Sequence, residues 1–442
     1  MSEKTFYDIH LHAFNLSHPY FRAFISRFNF RFLLVLAPII APIVTFLVAV
    51  ATNTPVLRRI LFKKGIDVVN RMKNLLSVME NDAGSYFLLL ENCLRENGML
   101  DNQGLHIGGE IYSKCVLTPL MIDFSYKGFG DTAIRYVHYK EHSRKPIKEQ
   151  VIDVFNGIKD YMEFDYKERY IKAFPHLAPK NGQSTSRIFE IYPFIGINTK
   201  NYKKEEIVEL LNKYFSEYEG KRSDLADNIG TFDGNINNLR SNFAAGVKVY
   251  PPLDFDPWPE NNAEELEKVT CLYQYCQNKG IPITAHGSTS GFVVVKKERC
   301  EEVTRISKWE KVTSKYPKLK LNLAHFPANE KLLWFFPKRH RLKEILNLVI
   351  NRKNVYVDFS CRATSDKYYR SLRRFMDTLS QESRDKLADR ILFGTDFAVS
   401  LTSIDSYNEY LDIFSRSSSI TKTDKEKYCA QNPQKFLFME AE

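Results

Sequence analysis

The stretch TFYDIHLHAF (residues 5–14) joins a short aromatic and β-branched run to two histidines, His10 and His12. The alternation over residues 5–12 predicts a β-strand. Side chains two positions apart on a strand point to the same side, so the two imidazoles can reach a single ion. A strand that ends in such a pair predicts a metal-binding edge of a sheet.

Seven further short apolar runs follow, with helical or irregular stretches between them. They span residues 114–124, 186–197, 244–252, 281–287, 319–327, 354–360 and 389–398. Strands that alternate with helices predict a parallel sheet. Eight of them predict an α/β fold of the closed (β/α)8 TIM-barrel type, formed as a single domain over residues 1–442, with long insertions after the first and second strands.

Polar side chains recur at the carboxyl ends of the later strands. On strands four, five, six and eight they are Lys248, His286, His325 and Asp396. A lone histidine is more often a packed core residue, and an aspartate in a turn is more often a cap. Because a barrel of this type builds its site at the carboxyl ends of its strands, the ordered set favours a metal-centred site shared with the first-strand histidines.

The composition limits the class of protein. Hydrophobic residues make up 44% and charged residues 26% of 442, and the mean hydropathy of −0.35 is too polar for a polytopic membrane protein. The net charge of +10 favours anionic surroundings. No finger, basic zipper or P-loop signature is present, so no nucleic-acid partner is expected.

Cysteine usage and the amino-terminal residues bear on location. Seven scattered cysteines form no CxxC pair, which indicates a reduced compartment. The first residues lack a signal-peptide pattern. We therefore expect a cytoplasmic location; no feature of the sequence indicates an oligomeric state.

One segment departs from the soluble pattern. FLLVLAPIIAPIVTFLVAVA (32–51) is uncharged and has about the length of a membrane span, roughly 20 residues. Cations flank both ends, and Pro38 and Pro42 disfavour a straight helix. We expect a membrane-associating hydrophobic hairpin over residues 26–60; the alternative is a pair of buried core helices.

Two other segments extend this hypothesis. Residues 334–343 place aromatic rings beside cations, which is typical of a bilayer interface. We expect the barrel to dock, peripherally or through a re-entrant segment, on the inner face of a membrane and to take a lipophilic substrate. The alternative is that these aromatic residues pack on the hydrophobic insertion. The insertion 125–185 is expected to be a lid or a partner surface.

The sequence resembles the amidohydrolase superfamily, in particular its amidohydrolase-2 branch of metal-dependent hydrolases and decarboxylases. The resemblance is carried by DIHLHAF (8–14), GVKVYPPLDF (246–255), ITAHGS (283–288), LNLAHFP (321–327), ILFGTDF (391–397) and CAQNPQKFLF (429–438). It covers the first strand and residues 186–438.

The resemblance implies a catalytic divalent metal held by three histidines and one aspartate. These ligands are His10, His12, His286 and Asp396. Zinc suits this nitrogen-rich set, with manganese and iron as alternatives. With two ions, His325 would hold the second and a carboxylated Lys248 would bridge them; with one ion, Lys248 would bind an anionic group of the substrate.

The expected reaction is hydrolysis of an amide, ester or related bond in a small-molecule substrate. The metal would lower the pKa of its water toward about 7. Asp396 would accept the proton, and His325 would stabilise the developing oxyanion. Nonoxidative decarboxylation of a carboxylic acid is the alternative reaction, and a non-catalytic membrane-associated barrel scaffold is the alternative from another class.

Overall fold

The computed structural model describes residues 4–19, 70–124, 145–163, 187–328 and 338–438. The strands in these ranges are β1 (Thr5–Leu11), β2 (Leu105–Ile107), β3 (Glu110–Tyr112), β4 (Lys114–Pro119), β5 (Phe189–Ile191), β6 (Phe194–Gly196), β7 (Gly246–Val249), β8 (Ile283–Ala285), β9 (Leu321–Leu323), β10 (Val355–Asp358) and β11 (Ile391–Leu392).

Helices alternate with these strands. They are α1 (Ala83–Glu96), α2 (Ile147–Glu163), α3 (Lys204–Phe215), α4 (Arg222–Gly230), α5 (Ala263–Lys279), α6 (Lys297–Val303), α7 (Ile306–Lys315), α8 (Lys338–Asn351), α9 (Asp366–Met376), α10 (Gln381–Ala388), α11 (Tyr407–Arg416), α12 (Lys422–Glu426) and α13 (Asn432–Leu437). Residues 70–79 are helical as well.

Parallel pairing arranges the strands as a barrel. One sheet has the order β1-β4-β5 and the other β6-β7-β8-β9-β10-β11. A parallel bridge between Leu120 and Phe194 joins the two sheets on one side, and a second between Leu11 and Phe397 joins them on the other. If β5 and β6 are counted as one interrupted strand, eight parallel strands follow one another around the ring in chain order. The predicted (β/α)8 TIM barrel is confirmed.

The third predicted strand (186–197) is interrupted. It forms β5, which pairs with β4, and β6, which pairs with β7. Pro193 lies between them and has no amide hydrogen, so the ladder cannot continue through it. Its carbonyl still accepts a bond from Ala245 N at 2.9 Å. The seven other predicted strands each contain one observed strand.

An antiparallel hairpin, β2–β3, precedes β4 and was not predicted. Its turn is Gly108–Gly109, with φ of 60° and 82°, the left-handed pair that a type I′ turn requires. Glu110 of β3 pairs with Lys4 at 2.6 Å. Because Lys4 precedes β1, the hairpin lies at the amino-terminal end of the barrel, away from the predicted site.

The described part of the first insertion includes α1, and that of the second is α2. These helices approach closely, since a Cβ added at Gly157 would lie 2.4 Å from Ala83 Cβ. They also share a buried carboxylate: Glu91 accepts bonds from Arg95 at 2.6 and 2.9 Å and from the hydroxyl of Tyr161. Helix α2 is thus fixed against α1, and the lid remains a prediction for the rest of 125–185.

The predicted hairpin over 26–60, with its apolar run 32–51, lies outside the described residues, as do residues 334–337 of the aromatic and basic segment. Residues 338–343 of that segment form the start of α8, where Arg341 Nη2 donates to Gly287 O at 2.6 Å. Among the helices that the structure describes, none combines the length and apolarity needed to cross a membrane.

Candidate metal centre

Three of the four predicted ligands meet where β1 and β11 end. A nitrogen of His10, a nitrogen of His12 and a carboxylate oxygen of Asp396 all lie within 4.8 Å of one another. His12 Nε2 is 3.2 Å and His10 Nε2 3.7 Å from Asp396 Oδ1. All three side chains are buried, so the group is a compact internal site.

Backbone hydrogen bonds between the first and last strands of the barrel, β1 and β11, bring these residues together. Asp396 N donates to His10 O at 2.6 Å, and His12 N donates to Phe397 O at 2.5 Å. The strands approach closely because position 394 is glycine: a Cβ there would lie 2.7 Å from His10 Cβ. Asp396 itself has a φ of 57°, a costly conformation for a residue other than glycine and one that occurs preferentially at functional sites.

When the rings of His10 and His12 are neutral, their hydrogen bonds through Nδ1 leave Nε2 of each ring without a proton. Nδ1 of His12 is 2.8 Å from Leu120 O, a carbonyl that can only accept, so Nδ1 carries the proton. Nδ1 of His10 likewise donates to Asp358 Oδ2 at 3.0 Å. The bare Nε2 of His12 therefore faces the carboxylate of Asp396, and the bare Nε2 of His10 is buried with no hydrogen-bond partner in the part of the chain that the structure describes. A cation among these atoms would pair with both nitrogens and with the carboxylate.

His286 and His325 form a second pair at the carboxyl ends of β8 and β9. His286 Nε2 donates to Ser290 O at 2.6 Å, and His325 Nδ1 donates to Ser360 O at 2.9 Å. Their remaining nitrogens, both bare, face each other at 3.0 Å. His286 is thus placed against His325 rather than in the three-residue group. His325 has no proton on Nε2 to donate, which disfavours its predicted oxyanion-stabilising role.

Burial keeps these imidazoles neutral. It lowers the pKa of His12, lowers the pKa of His286 well below the ordinary value, and lowers the pKa of His325 to about 3. For Asp396 burial acts to raise the pKa, but the His12 side chain beside the carboxylate and the nearby His10 and His325 act more strongly in the opposite direction and hold the pKa well below its ordinary value. Neutral imidazoles beside an ionised carboxylate are the state in which a metal is bound.

Lys248 on β7 points its amine into the same interior. Its Nζ is buried and has no hydrogen-bond partner among the described residues. Burial lowers its pKa to about 8, although Asp358 and Asp396 act in the opposite direction. Tyr250, two residues on, stacks against His286 with ring centroids 4.1 Å apart. The amine is therefore an unsatisfied group that an anion or a carboxylate would complete.

Sequence reasoning missed two polar residues of this centre, Asp358 and Ser360, at the carboxyl end of β10. Asp358 contacts the His10 ring, and Ser360 Oγ lies 3.0 Å from Nδ1 of both His10 and His325. The two residues stand two positions apart at the end of a strand, like His10 and His12. The spacing rule that identified the histidine pair could have found them.

The side chains present fit a divalent metal. Bare imidazole nitrogens and one carboxylate oxygen form the donor set that zinc, iron and manganese accept. The buried, unpartnered His10 Nε2 and the facing acceptors of His12 and Asp396 are both explained by an ion between them.

Comparison with known proteins confirms the resemblance indicated by the motifs. Residues 236–439, just under half of the chain, match the family model described as amidohydrolase. No curated protein sequence matches the chain.

Several solved structures are similar at low identity. An uncharacterised TIM-barrel protein of Bordetella bronchiseptica is 14% identical over 98% of each chain, with a TM-score of 0.42. The 4-oxalomesaconate hydratase of Rhodopseudomonas palustris is 13% identical over 98% of this chain and 95% of its own, with a TM-score of 0.40. A manganese-bound 5-carboxyvanillate decarboxylase of Novosphingobium aromaticivorans is 10% identical over 83% and 84%, also at 0.40.

Proposed function

Because the chain carries an amidohydrolase-family segment over residues 236–439, we propose that it is a metal-dependent hydrolase of a small-molecule amide, ester or related bond. The observation that carries this proposal is the contact between the bare Nε2 of His12 and the ionised Asp396, with His10 Nε2 beside them. These three residues would hold the metal, and His286 with His325 would line the opposite side of the site.

A divalent cation at this position supplies Lewis acidity and makes water a nucleophile near neutral pH. Asp396 accepts the proton that the water loses, since its carboxylate is ionised and buried beside the ligands, and it returns the proton to the leaving group. The bare Nε2 of His325 can accept a proton or ligate an ion. The surrounding burial excludes bulk water and strengthens these electrostatic interactions.

Decarboxylation is the second candidate, and Lys248 favours it. A buried amine that has no partner among the described residues suits a substrate that carries a carboxylate. The same amine could instead be carboxylated and bridge two ions. Incubation with esters, amides, lactones and carboxylic acids, with product acid and released CO2 measured in parallel, separates hydrolysis from decarboxylation. A metal-loaded protein that turns over none of them would favour the scaffold alternative.

We expect purified protein to contain a divalent metal and the His10→Ala/His12→Ala double variant to have lost it, because two of the three clustered ligands are removed. Elemental analysis of metal per chain is the measurement. About one ion per chain supports a mononuclear site. About two ions, falling to one in Lys248→Ala, would support the carboxylated bridge.

The matched control is His106→Ala, since His106 lies on β2 outside the centre; this variant should keep its metal. Protein that binds neither zinc, manganese nor iron, even after reconstitution, would contradict the metal-dependent hydrolase.

We also propose that the enzyme associates with a membrane through residues 32–51 and 334–343, as the apolar and the aromatic and basic composition of these segments suggests. The full chain should cosediment with anionic phospholipid vesicles, and a chain that lacks residues 30–55 should do so less. Equal sedimentation of the two, or a full chain that stays in the supernatant, would contradict the association.

A further inference from the structure

Asp358 accepts five hydrogen bonds in the interior of the barrel, at the end of β10. Its Oδ2 accepts from His10 Nδ1 at 3.0 Å and from Asn322 Nδ2 at 2.7 Å. Its Oδ1 accepts from His325 N at 3.1 Å, from Ser360 N at 3.0 Å and from the Ser360 hydroxyl. The side chain is fully buried, so one carboxylate is saturated by groups from three strands, β1, β9 and β10.

Two of these bonds act on residues of the centre. The bond to His10 Nδ1 fixes which ring nitrogen carries the proton and directs the bare Nε2 toward Asp396. The bond to the amide of His325 holds a residue whose φ is 68°, a conformation that needs support from its surroundings. Ser360 Oγ, 3.0 Å from Nδ1 of both rings, links the two contacts.

We propose that Asp358 is a positioning residue, which orients the ring of His10 and the backbone of His325 through one carboxylate and so fixes the two sides of the centre relative to each other. It acts through these histidines. From the proposed function we take only that His10 is a metal ligand; the orientation of the ring is a property of the metal-free protein as well.

A carboxylate is required because every neighbour of Asp358 donates. In Asp358→Asn the amide nitrogen would have to face either His10 Nδ1 and Asn322 Nδ2 or the amides of His325 and Ser360, so two donors would meet in either orientation. The loss of one acceptor leaves buried donors unsatisfied, and relaxation would rotate the His10 ring or release the His325 backbone.

The experiment compares Asp358→Asn with Glu91→Gln. Glu91 is also a fully buried carboxylate, but it contacts Arg95, Tyr161 and Arg187, outside the centre. Competition with a chelator gives the dissociation constant for Zn²⁺, and thermal unfolding gives the Tm. We expect Asp358→Asn to bind Zn²⁺ about 10 to 100 times more weakly, and Glu91→Gln to bind as the wild type does at a lowered Tm. Equal binding by Asp358→Asn and the wild type would overturn the proposal.

Nitrogen-15 NMR of histidine-labelled, metal-free protein reads the ring directly, with His10→Gln to assign the signal. We expect His10 to carry its proton on Nδ1 in the wild type and to become a mixture of tautomers in Asp358→Asn. An unchanged tautomer would overturn the proposal even if the metal is weakened. If the protein binds no metal but Asp358→Asn still changes the tautomer of His10, the proposed hydrolase function is contradicted and the positioning role of Asp358 is supported.

If Asp358→Asn does not fold, the Ser360→Ala variant tests the same proposal. It removes only the hydroxyl that bonds to Asp358 and lies beside both rings. Weaker Zn²⁺ binding in the same direction is expected, and wild-type affinity together with a wild-type tautomer would overturn the proposal.

Discussion

Asp396→Asn should lower kcat/KM by about 10² to 10⁴ while the protein stays folded, because an asparagine of the same shape cannot accept the proton that the attacking water must lose. The substrate is whichever member of the ester, amide, lactone and carboxylic-acid panel the wild type turns over. The amide oxygen of asparagine can still ligate an ion, and the two clustered histidines remain. Metal content should therefore fall less than in His10→Ala/His12→Ala.

The control is Asp405→Asn, which removes an equal charge from an exposed side chain that pairs with Arg71. Its kcat/KM should match the wild type within twofold. An Asp396→Asn protein that keeps more than a tenth of the wild-type kcat/KM, with full metal, would rule out Asp396 as the proton acceptor.

Acidification from pH 7.5 to 5.5 should destabilise the metal-free protein, although most carboxylates titrate only below this pH range. His12, His286 and His325 have pKa values lowered by burial, whereas in the unfolded chain a histidine titrates near about 6.5. Below that pH the unfolded chain binds protons that the folded chain does not, so the free energy of unfolding falls as pH falls. From pH 7.5 to 5.5 each histidine accounts for at most about 1.4 kcal/mol, or roughly 4 kcal/mol for three.

Asp8 acts in the opposite direction over the same interval. Burial raises its pKa to about 7, although bonds from Thr395, His10 and Tyr407 act to lower it. The folded chain therefore takes up this proton on acidification through pH 7, while the unfolded aspartate stays charged until about pH 4. This offsets part of the histidine effect, so the net loss of stability at pH 5.5 is smaller than the sum for the histidines.

Urea unfolding in EDTA at the two pH values is the measurement. His325→Gln should reduce the difference between them, because one buried neutral imidazole has been removed. A stability that is equal or greater at pH 5.5 would mean that these histidines are protonated in the folded protein.

The strands of the barrel were predictable because each is a short apolar run that can be recognised from its own residues. The run from 389 to 398 predicts β11 and the position of Asp396 after it, and the period-two spacing of His10 and His12 predicts their shared side. Hairpin β2–β3 was missed although Gly108–Gly109 is a strong turn signal. The interruption of the third strand follows from Pro193, whose effect on a ladder is local.

Pairwise relations across the barrel could not be predicted. The sequence places His286 and His325 on the same face, but whether His286 approaches His10 or His325 depends on rotamers and on carbonyls such as Ser290 O and Ser360 O. Only its spacing from Ser360 marks Asp358 in the sequence, and its importance comes from donors on three strands. These contacts arise from the closure of the ring, which no local pattern encodes.

The contact between β1 and the end of β11 also determines when the barrel can close during synthesis. Asp8 bonds Thr395 across 387 positions of chain, and at about 5 to 20 residues per second the ribosome needs roughly 20 to 80 seconds to make the second partner after the first. Throughout that interval β1 is an open sheet edge that other chains can pair with. His10, His12 and Asp396 can therefore come together only after the last strand has left the exit tunnel, and nascent chains stalled before residue 391 keep this edge open.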